Sequence, residues 1–275
     1  MSRRPASKRL IAIAGLASSL LLGARPVFAI NLSASQPVVR ETLKPGAATQ
    51  GSIELTNAGQ EPVQVKLYLE DWRYTEAGDG NKDFGPPGTF PRSAADWIRF
   101  RPQQLEVAPG KTVIVDYTIT VPQDTTLDGG YYAVLFFESM ISDPTQAEED
   151  SVAVKYAARL GSLFLVEIDK TVRREATLKD VQVTFDAATP LRIQGTLSNE
   201  GNVSLKCSGT FHVMSSQGMV TARGELPLRY VWPGNQVPFQ AEWPGKLASG
   251  TYSTVATYDC GDDLVLVEEV AASVP

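Results

Sequence analysis

Few residues in this sequence could do chemistry, and their spacing does not favour it. The chain holds one histidine, His212, inside the strand-like run Thr210-Phe-His-Val-Met214. A lone histidine in a strand reads as a surface or packed side chain rather than as a base or a ligand. The acid pairs Glu70-Asp71 and Asp262-Asp263 are adjacent in sequence. Neighbours on a strand point to opposite faces, so neither pair converges on one substrate atom. No Gly-x-Ser-x-Gly elbow, phosphate loop or His-Glu-x-x-His helix occurs. Asp79, Asn81 and Asp83 have the opening spacing of a calcium loop, but Phe84 stands where that loop needs glycine and Phe90 where it needs a bidentate glutamate. A hairpin turn is expected there instead. Trp72, Trp97, Trp232 and Trp243 each lie beside apolar strand residues, which suits core or domain packing better than a sugar platform. The expectation is a non-enzyme with no catalytic residues, no cofactor and no metal.

Two cysteines occur, Cys207 and Cys260. Without a second ligand pair they do not close a zinc site, and in an oxidising compartment they are expected to form one intradomain disulfide. Residues 1–29 point to such a compartment. Arg3, Arg4, Lys8 and Arg9 precede an apolar run from Leu10 to Leu22, and Ala24-Arg-Pro-Val-Phe-Ala29 puts small residues at the −3 and −1 positions. This is the pattern of a secretory signal peptide, with Arg3-Arg4 also hinting at a twin-arginine signal; the run is too short for a comfortable membrane span. Export to the periplasm is expected, with the cell surface or secretion as the alternative. Beyond the signal, 20 basic residues face 31 acidic ones, a net charge near −11. That balance disfavours nucleic acid as a partner.

The elements that would carry any site read as strands. The chain has 275 residues, 43% of them apolar, with 18 prolines and 22 glycines spread between short alternating runs. The halves echo each other. Gly51-Ser-Ile-Glu-Leu-Thr-Asn57-Ala-Gly59 is matched by Gly195-Thr-Leu-Ser-Asn199-Glu-Gly201, and each is followed by a second alternating strand. Leu105-Glu-Val-Ala-Pro109-Gly110 before one strand has a counterpart in Tyr230-Val-Trp-Pro233-Gly234 before another. A strand–turn–strand grammar repeated at domain scale implies two copies of one fold. About seven short strands per copy, with turn signals every 8–12 residues, imply an all-β chain of two immunoglobulin-like β-sandwich domains in tandem. The expected division is 30–170 and 171–275, with a short linker near Asp169–Glu175 that restricts the angle and leaves a cleft. The first copy differs by an insertion, Arg73 to Ser93. Ser93–Trp97 could form one helical turn at most.

From about Ile30 to Lys170 the sequence resembles the N-terminal domain of the periplasmic pilus-assembly chaperones that feed subunits to an outer-membrane usher. The residues carrying the resemblance are Gly51–Asn57, Val63-Gln-Val-Lys-Leu-Tyr-Leu-Glu-Asp-Trp72, Trp97-Ile-Arg-Phe-Arg-Pro102, Leu105–Gly110 and Gly130-Tyr-Tyr-Ala-Val-Leu-Phe-Phe137. The second domain is a counterpart by architecture more than by motif. The resemblance implies protein subunits, pilin-like or surface proteins, as partners, an usher as a further one, and no embedding in the membrane. It implies a donor strand in Ser151–Ala158 and onward, with Val152, Val154, Tyr156 and Leu160 on one face. It also implies capture of the subunit's terminal carboxylate by two basic residues in the cleft, here Arg40 and Arg159. Pro37 near the first, and arginine where lysine is usual in the second, depart from the family pattern. The rival from another class is a structural or adhesive two-domain cell-surface protein that bridges partners. Many of those end in a membrane anchor, which the closing run Val270-Ala-Ala-Ser-Val-Pro275 does not resemble, so the chaperone reading is the one expected.

Overall fold

The structure, a computed structural model, describes residues 31–141, 156–185 and 191–274. The expected signal peptide, and Val152 and Val154 of the expected donor strand, lie outside the described residues.

Alternation of apolar and polar residues builds ten strands before the linker: β1 (Leu32–Ala34), β2 (Val38–Leu43), β3 (Ala48–Asn57), β4 (Val63–Tyr74), β5 (Lys82–Gly85), β6 (Ile98–Arg101), β7 (Gln104–Val107), β8 (Thr112–Thr120), β9 (Gly130–Ile141) and β10 (Tyr156–Ile168). Seven follow it: β11 (Ala176–Thr184), β12 (Leu191–Asn199), β13 (Leu205–Ser215), β14 (Val220–Val231), β15 (Gln236–Trp243), β16 (Gly250–Asp259) and β17 (Val265–Val274). A 3-10 turn, Ala95–Trp97, lies between β5 and β6, in the stretch read as able to form one helical turn at most.

The first set forms two facing sheets, ordered β1-β3-β8-β6 and β2-β10-β9-β4-β5, with β7 beside β4. Between them lie Ile53, Leu55, Val115, Ile119, Leu135, Phe137, Phe164 and Val166, all buried. The second set forms sheets β11-β12-β15 and β14-β13-β16-β17 around Leu191, Ile193, Phe211, Val213 and Tyr258. Burial of every second residue on opposed sheets is the driving force of a sandwich. The all-β, two-sandwich architecture read from the sequence is the one the chain adopts.

The internal repeat extends to single atoms. Asn57 is buried, and its Nδ2 donates to the carbonyls of Glu61 (2.7 Å) and Val107 (2.9 Å), while its Oδ1 accepts from the Gly59 amide (2.9 Å). Asn199 repeats the pattern, donating to Val203 (2.8 Å) and Val231 (2.9 Å) and accepting from Gly201 (3.0 Å). The backbone follows suit, for Gly110 N donates to Asn57 O at 2.8 Å and Gly234 N to Asn199 O at 3.0 Å. The Asn-x-Gly turn therefore joins strands of different sheets, and the asparagine supplies the hydrogen bonds that a sheet-to-sheet corner cannot make by itself.

Within the insertion, β4 and β5 form the expected hairpin, with Tyr74 opposite Lys82. The carboxylates that resembled a calcium loop are used locally. Asp83 pairs with Arg73 at 3.2 Å, and Asp79 accepts from the Asn81 amide at 3.0 Å, which lowers its pKa. The remainder of the insertion folds back on buried Asp71, which accepts from Phe90 N at 3.1 Å and from the Ser93 hydroxyl.

Candidate functional site

The site is built on β10. Along its whole length it pairs antiparallel with β9, from Tyr156 opposite Ile141 to Glu167 opposite Gly130. Its other edge is covered only in part. β2 runs parallel to it from Leu163 opposite Val38 to Ile168 opposite Leu43. The last bonds at that junction are Leu163 N to Pro37 O at 3.0 Å and Ser162 Oγ to Gln36 O at 2.6 Å. Pro37 has no amide to continue the ladder. Before it the chain crosses to the opposite sheet, where β1 pairs with β3. Residues 156–161 consequently have one strand neighbour among the described residues, leaving an open edge about 20 Å long at ~3.3 Å per residue.

The direction of that edge follows from the alternation of the backbone. Leu163 turns its amide toward β2, so Ala157, Arg159 and Gly161 turn theirs to the same, uncovered side. The even-numbered residues face β9, as Ile168 N does in donating to Gly129 O at 2.8 Å. Leu160 is half-buried against the core of the first sandwich. Tyr156 is described through its backbone, paired with Ile141.

Arg159 stands out from the sheet and bends back across it. Its guanidinium lies 4.4 Å from the centre of the Phe136 ring and 3.6 Å from the Glu70 carboxylate. It also donates to the Tyr68 hydroxyl at 3.5 Å, while that hydroxyl donates to Glu138. Arg40 is elsewhere. It sits on β2 opposite Leu165, six residues further along β10, or about 20 Å away. The two arginines expected to share one carboxylate are on the same face of one sheet but do not converge. β2 reaches only the C-terminal half of β10, so its basic residue faces the interdomain cleft and Arg159 faces the aromatic patch.

The cleft is a cavity of about 490 Å³ between the sandwiches, with Arg40, Tyr74, Tyr132 and Glu167 on one wall and Ser204 and Lys206 on the other. Arg174 from the linker also lines it, but its charge is spent on Glu167 (2.7 and 2.9 Å) and Asp262 (2.7 Å). Arg40 and Lys206 form no ion pair among the described residues. Burial pushes the Tyr74 phenol up to about 12, with Tyr230 beside it adding to the effect and Arg40 opposing it. Burial likewise raises Tyr132, whose hydroxyl accepts from the Ser204 amide of the other domain at 2.7 Å. The two walls thus each offer a cation outside any ion pair among the described residues, Arg40 on one and Lys206 on the other. An anion could lie between them, beside the phenols of Tyr74 and Tyr132 and the Glu41 carboxylate. Lys206 has no sequence signal of its own, because its place opposite Arg40 depends on the angle between the domains.

Cys207 and Cys260 form the expected disulfide. It joins neighbouring strand ends of the second sandwich at the floor of the cleft, which Cys260 lines. His212 is exposed on β13. Among the described residues no group of three or more His, Cys, Asp and Glu gathers to hold a metal, and no helix is long and apolar enough to cross a membrane.

No protein-family model matches this chain, and no curated protein matches it. Solved structures resemble it. The class 5 fimbriae chaperone CfaA is 13% identical, with 89% of this chain and 100% of that one covered at a TM-score of 0.44. The CsuC–CsuE chaperone–tip adhesion subunit pre-assembly complex from Csu pili of Acinetobacter baumannii is 13% identical, covering 87% and 97% at 0.43. The Salmonella enterica SafA pilin in complex with the SafB chaperone is 10% identical, covering 90% and 97% at 0.41. At this distance the superposition is loose, and the functional reading rests on the geometry of the chain itself.

Proposed function

We propose that this protein is an exported, periplasmic chaperone-like binder of protein subunits, which lends the open edge of β10 to a partner with an unfinished sandwich. The observation that supports this best is the half-covered strand: β9 on one side along its whole length, β2 on the other only from Leu163. An added strand would satisfy the outward amides and carbonyls of Ala157, Arg159 and Gly161 and continue the sheet. Of the expected donor residues, Tyr156 and Leu160 are on β10 and Val152 and Val154 lie outside the described residues. The partner's terminal carboxylate enters the cleft, where Arg40 and Lys206 stand outside any ion pair among the described residues. Arg159 guides the partner's backbone past the Phe136 patch instead of binding the carboxylate. A purely structural bridging module has no use for a sheet edge left half open.

A labelled ten-residue peptide of alternating apolar and polar residues, made once with a free C-terminal carboxylate and once as the amide, tests the reading by fluorescence anisotropy. The carboxylate form should bind more tightly than the amide, and Arg40→Ala with Lys206→Ala should abolish that difference. Equal binding of both forms to the native chain removes the carboxylate assignment; no saturable binding of either removes the strand-lending function.

A further inference from the structure

The insertion that distinguishes the first domain is unused by the proposed site, yet it reaches the second domain. The turn between β4 and β5 is docked there by its backbone, for Gly78 O accepts from Tyr230 N at 2.9 Å. Gly78 is buried with φ +64, and a Cβ at that position would lie 2.6 Å from Val237 Cγ1 and 3.2 Å from Tyr230 O. Gly80, with φ +94, leaves room for the Tyr230 ring, which a Cβ there would meet at 2.8 Å. Only glycine adopts this backbone at such close approach without strain. Tyr230 and Val237 belong to β14 and β15 of the second sandwich.

Behind the turn the contact continues as a block of rings. Tyr74 lies 4.8 Å from Tyr230, Trp72 lies 5.6 Å from Trp232 and Tyr132 lies 4.2 Å from Trp232, centre to centre. Trp72 is 1% exposed and Trp232 8% exposed, so the inner rings of the block are buried, while Tyr74 and Tyr230 at its rim are half-buried. Aromatic pairs of this geometry contribute beyond their buried area.

The position of the turn decides what it can do. Glu167 lies opposite Gly130, and Glu70 opposite Val134. Continuing the second register puts Tyr74 level with Gly130. The hairpin therefore leaves the sheet level with the linker but two strands away, about 10 Å at ~4.8 Å per strand. Near the linker the second domain is held separately: Asn202 Nδ2 donates to Asp128 at 2.8 Å and to Thr171 O at 2.9 Å. One attachment leaves a hinge, whereas two attachments side by side remove rotation about either. Domains joined by a short linker are expected to move unless a substantial apolar contact prevents it.

We infer that the β4–β5 hairpin is an interdomain strut, with Gly78 and Tyr230 as positioning residues that fix the cleft at one width before anything binds. The wall carrying Arg40 and the wall carrying Lys206 then face each other at a set separation. A partner pays no closing cost, since the competent conformation is already the populated one.

The test needs no partner, so its failure is separate from failure of the binding proposal. Spin labels on cysteines replacing exposed Glu54 and Thr210, one per domain, report the interdomain distance by pulsed electron resonance in the full chain. The native hairpin should give one narrow distance distribution. Tyr230→Ala should broaden it. A second variant, with Glu76–Gly80 replaced by Asn-Gly, shortens the turn while keeping the Thr75–Asn81 pair (3.0 Å) and should lose the narrow distribution altogether. Circular dichroism checks that both sandwiches remain folded. A distribution as narrow as the native one in the shortened-turn variant overturns the strut, as does a broad distribution in the native chain.

Discussion

Replacing Ala157 by proline perturbs the open edge with little consequence for the fold. The Ala157 amide points to the uncovered side of β10, because Leu163, an even number of residues away, donates in that direction to Pro37. The ladder to β9 is therefore kept, and edge strands tolerate proline where the lost amide faced solvent. Three residues, Ala157, Arg159 and Gly161, offer an incoming strand three amides and three carbonyls. The substitution removes one amide at the start of that row and leaves a carbonyl of the partner buried without a donor, at a cost of about 1–3 kcal/mol. That corresponds to binding weaker by about 5- to 150-fold. The control is Ala158→Pro, one residue on, which removes an amide directed at β9 and should lower the unfolding temperature instead. Anisotropy with the alternating peptide, together with thermal unfolding of both variants, separates the two cases. If Ala157→Pro binds the peptide as the native chain does, the open edge is not where partners pair. If it unfolds as easily as Ala158→Pro, the assignment of outward and inward amides is wrong.

Three further outcomes follow from other parts of the chain. Asn57→Ala and Asn199→Ala should both destabilise their domains, Asn199→Ala the more at about 2–4 kcal/mol, because Asn199 strands two buried carbonyls whereas Asn57 strands one buried (Val107) and one part-buried (Glu61). Denaturant unfolding that finds either one neutral would contradict their shared corner role. The Asp128 carboxyl is held below its ordinary pKa, first by the hydrogen bond from Asn202 and then by Arg92. A depressed folded pKa means its stabilisation is present above the unfolded value, roughly 3.9, and is lost as pH falls through the lower folded one. The acid side of the unfolding curve should therefore flatten in Asp128→Asn, and an unchanged slope refutes the linkage. Replacing both Cys207 and Cys260 by alanine opens a loop closed over a separation of 53 residues. Loop entropy sets the loss at about 4 kcal/mol, readable as a drop in the denaturant midpoint of the second domain.

The fold was legible because its signals are local. Strand alternation and the Pro-Gly and Asn-x-Gly turns lie in short windows, and the echo between halves is a repetition of those windows, marked by the corner residues Asn57 and Asn199. Cys207 and Cys260 needed only their number and compartment. The site was legible in part. Tyr156 and Leu160 are on β10, and Arg40 faces the cleft, because strand and parity can be counted. What could not be counted was where β2 meets β10. Pro37 delays the parallel pairing to Leu163, and that offset moves Arg159 about 20 Å from Arg40. Lys206 and the Gly78–Tyr230 contact were out of reach for the same kind of reason: both exist only once two domains take one angle, and no window of sequence carries an angle.

The treatment of strand edges gives the open half of β10 its meaning. An exposed edge invites uncontrolled pairing, and proteins blunt it with charge or brevity. Three other edges carry charge of that kind, although the edge strands β14 and β17 also expose Val220, Leu228, Val265 and Val267. β5 has four residues and carries Lys82 and Asp83, β6 has four and carries Arg99 and Arg101, and β17 carries Glu268 and Glu269. On the open stretch of β10 the one charged side chain, Arg159, is drawn back over Phe136 toward Glu70, clear of the path a neighbouring strand would take. Under the proposed function, an edge whose own guard is folded away onto the sheet is free to take a partner strand, and Phe84, 38% exposed and packed at 5.1 Å against the buried Phe136 ring, is the apolar side chain left facing solvent beside it.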